Sequence, residues 1–473
     1  MKTFLYRFAK QAFISLVWLY AGAPSHAQHS RVVLADSAHA DIREGDVLVT
    51  GNWNISPQIR PDVYDAFIEG KSKRFAFITN RDSVVFEVEP GKSYPFVVLL
   101  NGKDSAFTEF KGIKIVPRAR FSKAYQAAHR GKTLVEIPEV YELINIVFAL
   151  TDRGRNVSGF VNRDTDYYRE VMAWFEPYTS HEVVEKVNKG LGVDGGIHAM
   201  KMDAYPFDLA ADGKITQGPV YDRIGNSYTN NLLYYLPDLE NFAKASRFQE
   251  FYNAHSPYYN HLIQVYRDSV GVPEMQRWLG RNFPSTHYDA FKIIFSPLVS
   301  ANQSASFFDI DGFCEAQAHV NFPFHKPGAT SEWSEKARFV MDGNIVFTEF
   351  NHSFIGPEGQ KTAYRDRIQK VFKDLSIWND NSKPARYYDT PQTSFDEYMN
   401  WALVSLRYVD HAPFAEQEKL IASNEDNMVN FRGFRRFKEF DQFLVKIYKE
   451  RKKGQTVADL YPQIVTWFEK NNR

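Results

Sequence analysis

The first quarter of the chain contains the short hydrophobic segments, separated by polar turns, that are typical of β-strands. β-Branched and aromatic residues dominate these segments, and Gly, Pro, Asn and Asp separate them. The predicted strands are residues 31–34, 46–49, 74–78, 83–88 and 94–100. Short strands at this spacing favour a small antiparallel β-sandwich. We therefore predict a β-sandwich accessory domain over residues 28–118, followed by a linker over residues 119–135.

From about residue 136 the hydrophobic positions recur every three or four residues, which indicates amphipathic helices. The predicted helices include residues 166–175, 236–252, 258–270, 273–279 and 461–471. A small embedded sheet is expected near residues 292–295, where the sequence is Lys-Ile-Ile-Phe. The pattern therefore predicts an α+β protein whose second domain, residues 136–473, is mainly helical.

The N-terminus has the pattern of a secretory signal peptide. Basic residues precede a short apolar run, and Ser25-His26-Ala27 offers small residues at the positions that a signal peptidase reads. We predict that residues 1–27 are removed, and that the mature chain is secreted or periplasmic. No later segment is long and apolar enough to be expected to span a membrane.

Composition narrows the possible partners. Lys and Arg number 57, Asp and Glu number 57, and the formal net charge is zero, so a nucleic-acid partner is not expected. Aromatic residues make up 15% of the chain, which favours aromatic cores or aromatic-lined clefts. The only cysteine is Cys314, so an intrachain disulfide is excluded. The basic stretch 432–436 is interpreted as the solvated side of a C-terminal helix.

One helical segment carries candidate chemistry. In residues 345–354 the sequence Thr348-Glu349-Phe-Asn-His352 differs at one position from His-Glu-x-x-His, in which two His ligands hold zinc and the Glu acts on the bound water. Gly356-Pro357 is expected to end this helix. A polar cluster on a buried helix needs partners, and these are either a metal ion or hydrogen bonds within the chain.

A second helix supplies a further candidate. Glu397 lies on the same predicted face as Trp401, Val404 and Tyr408, where a carboxylate needs a metal or a basic partner. The alternative is a capping box, because Ser394 precedes Glu397 by three residues and fits an N-cap.

These two helices, with the aromatic helices before them, resemble a bacterial family of secreted proteins known only as a domain of unknown function. The resemblance covers about residues 135–410 and implies a zincin-like metallopeptidase fold. It implies Glu349 as general base on a zinc-bound water, His352 as a zinc ligand and Glu397 as the third ligand. Thr348 replaces the first His ligand, so it could hold zinc only through a water. His319 or His325 could replace the missing ligand, and Glu315 and His319 are interpreted as lying one helical turn apart.

Two functions follow from the resemblance. The first is a secreted zinc-dependent peptidase acting on a peptide or protein. The second is a catalytically inactive zincin relative that binds a peptide or glycan through an aromatic cleft. A purely structural envelope protein is the third alternative, and the polar cluster on the helix of Glu349 disfavours it.

Overall fold

The computed structural model describes residues 31–192, 196–324 and 332–473. The predicted signal peptide and His325 lie outside the described residues. The chain divides into a first unit that ends at Ile115 and a second unit, Val116–Arg473. None of the described helices combines the length and the apolar character that crossing a membrane requires.

The described residues of the first unit form eight strands in two four-stranded sheets. The strands are β1 Arg31–Ala35, β2 His39–Glu44, β3 Val47–Asn54, β4 Asp62–Ile68, β5 Lys73–Ile78, β6 Ser83–Val88, β7 Ser93–Leu100 and β8 Asp104–Lys114. The strand orders are β1-β7-β8-β4 and β3-β2-β5-β6, and both sheets contribute to one hydrophobic core. The prediction of a purely antiparallel arrangement is wrong: β1 is parallel to β7 and β4 is parallel to β8. Several strands separate the members of each parallel pair along the chain, whereas hairpins impose antiparallel pairing only on sequence neighbours.

The second unit mixes many helices with two sheets. Its first half contains α1 Lys123–His129, β9 Thr133–Glu136, α2 Glu139–Leu150, α3 Asp152–Asn156, α4 Asp166–Phe175, α5 Glu182–Gly190, α6 Gly196–Ala204, β10 Phe207–Leu209, β11 Ile215–Gln217, α7 Leu236–Ala245, α8 Phe248–Ala254, α9 Ser256–Ser269 and α10 Val272–Asn282. Its second half contains β12 Ala290–Phe295, β13 Ser304–Ile310, β14 Phe313–Val320, α11 Glu335–Asp342, α12 Asn344–Gly359, α13 Arg365–Val371, α14 Pro391–His411, α15 Phe414–Asp426, α16 Phe437–Lys449 and α17 Val457–Lys470.

Most predicted helices of the second unit are confirmed. One predicted helix and the predicted linker differ. The helix predicted over residues 236–252 is two helices, α7 and α8, because Arg247 adopts a left-handed conformation with φ 54°. Residues 119–135, predicted as a linker, contain α1 and most of β9 within the second unit.

A four-stranded mixed sheet organises the second unit, and its strand order is β13-β14-β12-β9. β12 is parallel to both of its neighbours, β14 and β9, and β13 is antiparallel to β14 at one edge. The expected sheet near residues 292–295 is therefore confirmed as β12. The interpretation of Glu315 and His319 as one helical turn apart is wrong. Both lie in β14, where alternation places them with Gln317 on one face and Ala316 and Ala318 on the other.

Candidate functional site

Helix α12 carries Thr348, Glu349 and His352, and packs against β13 and β14. Its buried face includes Phe350, whose ring meets Phe291 of β12 edge to face at 5.1 Å. The expectation that Gly356-Pro357 ends the helix is wrong, because α12 continues to Gly359. Proline has no N–H to donate one turn back. The Ser353 carbonyl instead accepts a hydrogen bond of 2.9 Å from the Tyr288 hydroxyl.

Thr348 occupies the position of the missing His, and its hydroxyl is turned to the backbone of its own helix. Its Oγ1 donates to the Ile345 carbonyl at 2.8 Å, and the residue is 2% exposed. This back-bond is a common way for a buried helical Thr to satisfy its donor. The side chain therefore contributes to the helix rather than offering a ligand.

Helix α14 presents Glu397 towards α12. The helix begins one turn earlier than expected, with Thr390 as N-cap in a reciprocal capping box with Thr393. The interpretation of Ser394 as N-cap is wrong: Ser394 is fully buried and donates to Asn379 Oδ1 at 3.0 Å. The Glu397 carboxylate is thereby free of a capping role.

A buried ion pair holds the Glu397 carboxylate. The Arg432 guanidinium lies 2.6 Å from Glu397 Oε1, and the Trp401 indole donates to the same oxygen at 2.9 Å. The Glu397 side chain is 2% exposed and that of Arg432 is 15% exposed. Burial alone raises the pKa of Glu397, but Arg432, His352 and the hydrogen bonds from Trp401 and Tyr388 together bring it below its ordinary value. Glu397 is therefore an anion whose charge is matched by an arginine.

His352 is neutral and faces the same carboxylate. Its Nε2 lies 3.7 Å from Glu397 Oε2 and 3.1 Å from the Asn400 amide nitrogen. Burial lowers the pKa of His352, and Glu397 only partly opposes this effect. Because an amide N–H donates to Nε2, the ring proton resides on Nδ1. The side chain keeps 31% of its surface exposed, so the imidazole is open to a ligand.

Glu349 is protonated at neutral pH. Burial and the neighbouring Glu397 carboxylate raise its pKa to about 8, against the lowering effect of Lys201 and Arg432. Lys201 is fully buried, and burial lowers its pKa to about 7, against the raising effect of Glu349. The Lys201 ammonium donates to both the carbonyl and the side-chain oxygen of Asn302, which lies two residues before the start of β13. Lys201, whose charge acts on Glu349, is therefore bound to the segment just before the edge strand, and α12 itself contacts β13.

The donor set does not fit the zinc ion that the resemblance implies. The spacing of His352 Nε2 and Glu397 Oε2 is close to the separation of about 3.4 Å expected for two ligands of a tetrahedral zinc. No third ligand comes from Thr348, because its hydroxyl is hydrogen-bonded to the Ile345 carbonyl. Nowhere in the described ranges do three or more His, Cys, Asp or Glu side chains form a group that could hold a metal ion.

His319, expected as one possible replacement ligand, lies in β14 and is hydrogen-bonded there to a neighbour of its own strand. It is fully buried on β14, and its Nε2 lies 3.2 Å from Gln317 Oε1. His325, the other possible replacement, falls in a segment that the structure does not describe.

Two contributors to the site were missed in the sequence. The interpretation of Arg432 as part of a solvated helix face is wrong, because it ends a π-helical turn, Asn427–Arg432, and points at Glu397. Lys201 lies in an ordinary helical segment without a recognisable motif. For Arg432, the one signal in the sequence was that Phe431, Phe434 and Phe437 alternate with basic residues. Aromatic neighbours favour a partly buried arginine.

Comparisons with known proteins add no relative. The chain matches no protein-family model, no curated protein and no solved structure. The resemblance to the secreted zincin-like family therefore stays a prediction.

Proposed function

We propose that this protein is a secreted zincin relative that has no catalytic metal and binds an extended polypeptide at the α12–α14 site. The observation that carries the proposal is the ion pair between Arg432 and Glu397 at 2.6 Å. A zinc ion would supply positive charge to this carboxylate, and the guanidinium already supplies it. The proposal includes cleavage of residues 1–27 and a sandwich arrangement of the two sheets of the first unit, which share one core.

The groups around the ion pair suit an uncharged polar ligand. At neutral pH Glu349 offers a carboxylic acid donor, because its pKa is about 8, and His352 offers a neutral imidazole. Peptide amides both donate and accept hydrogen bonds, so they complement these two groups. A charged ligand would instead have to compete with the Arg432–Glu397 pair.

The edge strand supplies the reason for an extended peptide. Among the residues that the structure describes, β13 pairs with one strand, β14, and an extended peptide can add to a sheet edge through main-chain hydrogen bonds. Arg118 already donates to the Phe307 carbonyl at 2.9 Å. Alternation directs the main-chain groups of Ala305 the same way as those of Phe307, so the start of β13 is the segment on which we place the peptide.

Peptide binding can be tested with fluorescein-labelled tryptic peptides of casein, followed by fluorescence polarisation. We expect saturable binding at pH 7 that weakens at least tenfold in Glu349→Ala and in His352→Ala. The exposed helix residue Glu335 provides the matched control, and Glu335→Ala should bind like the unmutated chain. Binding peptides should lose affinity when alternate amides are N-methylated, because the peptide then loses the N–H groups that donate to the carbonyls at the edge of β13. Equal binding by all variants would refute the proposal.

A zinc peptidase is the second candidate, and the 3.7 Å spacing of His352 and Glu397 favours it. Elemental analysis of the purified chain separates the two. Our proposal expects a metal-free protein, and zinc that raises the melting temperature only of Thr348→His or Thr348→His/Arg432→Met. Near-stoichiometric zinc in the unmutated chain, with peptide hydrolysis that Glu349→Gln abolishes, would establish the peptidase instead.

A further inference from the structure

A second cavity lies in the same unit, with a volume of about 460 Å³. Four tyrosines form much of its wall: Tyr125, Tyr205, Tyr221 and Tyr252. Glu136, Glu139, Asp208 and Lys292 add charged groups to the lining. This volume is within the range of cavities that bind small molecules, and its mixture of aromatic and polar groups is typical of them.

Lys292 is the cation of the cavity. Its side chain is 5% exposed, and the rings of Tyr125, Tyr205 and Tyr221 surround the ammonium at 5.1–5.5 Å. The ammonium has three N–H donors. Within the part of the chain that the structure describes, one acceptor lies within hydrogen-bond distance, the Tyr205 hydroxyl at 2.6 Å. Glu136 Oε1 is an ion-pair partner of the ammonium at 3.9 Å, too far for a hydrogen bond, so donors of Lys292 remain available to a ligand.

The hydroxyls of Tyr125, Tyr205 and Tyr221 are committed to carboxylates of the chain, so they are not free to donate to a ligand. Tyr125 and Tyr221 donate to Glu315 at 2.6 and 2.5 Å. Tyr205 donates to Glu136 at 2.6 Å. These bonds fix the ring planes, which makes a preformed aromatic wall.

This cavity is separate from the α12–α14 site. Lys292 on β12 and Glu315 and Gln317 on β14 project from one face of the mixed sheet. Phe291, the neighbour of Lys292, projects from the opposite face, where it meets Phe350 of α12. The two sites therefore lie on opposite faces of one sheet.

The charges of the lining select among ligand classes. A cation would have to share the tyrosine rings with the Lys292 ammonium. An anion would lie beside Glu136, Glu139 and Asp208, with Glu315 buried behind the wall. An apolar ligand would leave the remaining Lys292 donors without acceptors, which costs free energy.

We propose that this cavity binds a neutral hexose unit, free or at the end of a glycan. The hydroxyls of a hexose accept from Lys292 and donate to Glu136 and Asp208. The C–H bonds on one face of the sugar ring are weakly positive, and they suit the negative faces of the tyrosine rings. The proposal does not depend on the peptide site.

The experiment uses three sets of sugars that differ mainly in charge, with the intact mature chain. Glucose, galactose and mannose are each compared with the matching uronate and amino sugar by isothermal titration calorimetry, and maltose and cellobiose represent glycan ends. We expect saturable binding of at least one neutral hexose or disaccharide, and at least tenfold weaker binding of the charged counterparts.

Two variants locate the binding. Lys292→Met removes the cation, and Asp208→Ala removes an exposed carboxylate, so the second variant is expected to fold even if the first does not. Each should weaken binding at least tenfold, whereas Lys214→Met, an exposed change on the nearby β10–β11 turn, should not. Tighter binding of a uronate or amino sugar, unchanged affinity in Asp208→Ala, or no binding of any neutral sugar would overturn the proposal.

Discussion

At the scale of single residues, Glu349 couples the stability of the fold to pH. Its pKa is raised to about 8 in the folded chain, so between its ordinary value and pH 8 the folded state holds a proton that the unfolded state has released. The stability contribution of Glu349 therefore falls as pH rises through this window. Relative to Glu349→Gln, which resembles the protonated acid, the unmutated chain should lose about 2–4 kcal/mol between pH 5 and pH 8.

Urea unfolding of both proteins at pH 5, 6.5 and 8 measures this difference. The exposed change Glu335→Gln serves as the control and should track the unmutated chain at every pH. Parallel pH dependence of Glu349→Gln and the unmutated chain would show that Glu349 is ionised in the fold, and the carboxylic acid donor proposed for the peptide site would then be wrong.

Sequence could identify part of this cluster but not its charge balance. The spacing of Thr348, Glu349 and His352 marked one helix, and the apolar neighbours of Glu397 indicated that it needed a partner. The partner could not be named, because Arg432 lies 35 positions beyond Glu397 and only the packing of several helices brings the two together. Lys201 acts on Glu349 from a still more distant segment.

At the scale of elements, a glycine sets how closely α12 approaches its neighbours. A Cβ added to Gly343, the residue before α12, would lie 2.7 Å from the Val270 carbonyl oxygen and would also overlap the end of the Met275 side chain. Backbone cannot yield as a flexible side chain can, so we expect Gly343→Ala to destabilise the chain by about 1–3 kcal/mol.

Gly280 provides the matched substitution. It lies inside α10, is exposed, and a Cβ there would meet no atom within 4 Å. Gly280→Ala should therefore stabilise the chain by about 0.5–1 kcal/mol. Thermal unfolding of the two variants checks both signs, and a destabilised Gly280→Ala together with a neutral Gly343→Ala would contradict this account of the α12 packing.

Elements were predictable where one period dominated a segment and were misread where tertiary contacts decided. The helical spacing of hydrophobic residues in α4 and the apolar segment of β12 were enough to predict both elements. The polar positions of β14 alternate every second residue, but Glu315 and His319 are also four apart, and that spacing fits a helical turn as well. Neighbouring strands β12 and β13 decide between the two, and they are not visible in the local sequence.

At the scale of the whole molecule, both proposed sites belong to one of the two units. Glu349, Glu397 and Arg432, like Lys292 and Glu315, all fall in Val116–Arg473. Residues 31–114 have a separate hydrophobic core, in which Phe77 and Phe110 are fully buried. Each unit thus has the core that a domain needs to fold by itself.

This division predicts that a chain beginning at Val116 still binds both the peptide and the neutral sugar. Expressed alone, it should unfold cooperatively and bind the casein peptides and the neutral sugar with affinities within about twofold of those of the intact chain, because no residue of either site is removed. The complementary fragment, residues 31–115, should unfold cooperatively and bind neither, which controls for non-specific adsorption. A cooperatively folded Val116 fragment that has lost one ligand would mean that the first unit contributes to that site, and the residues assigned to it would then be incomplete.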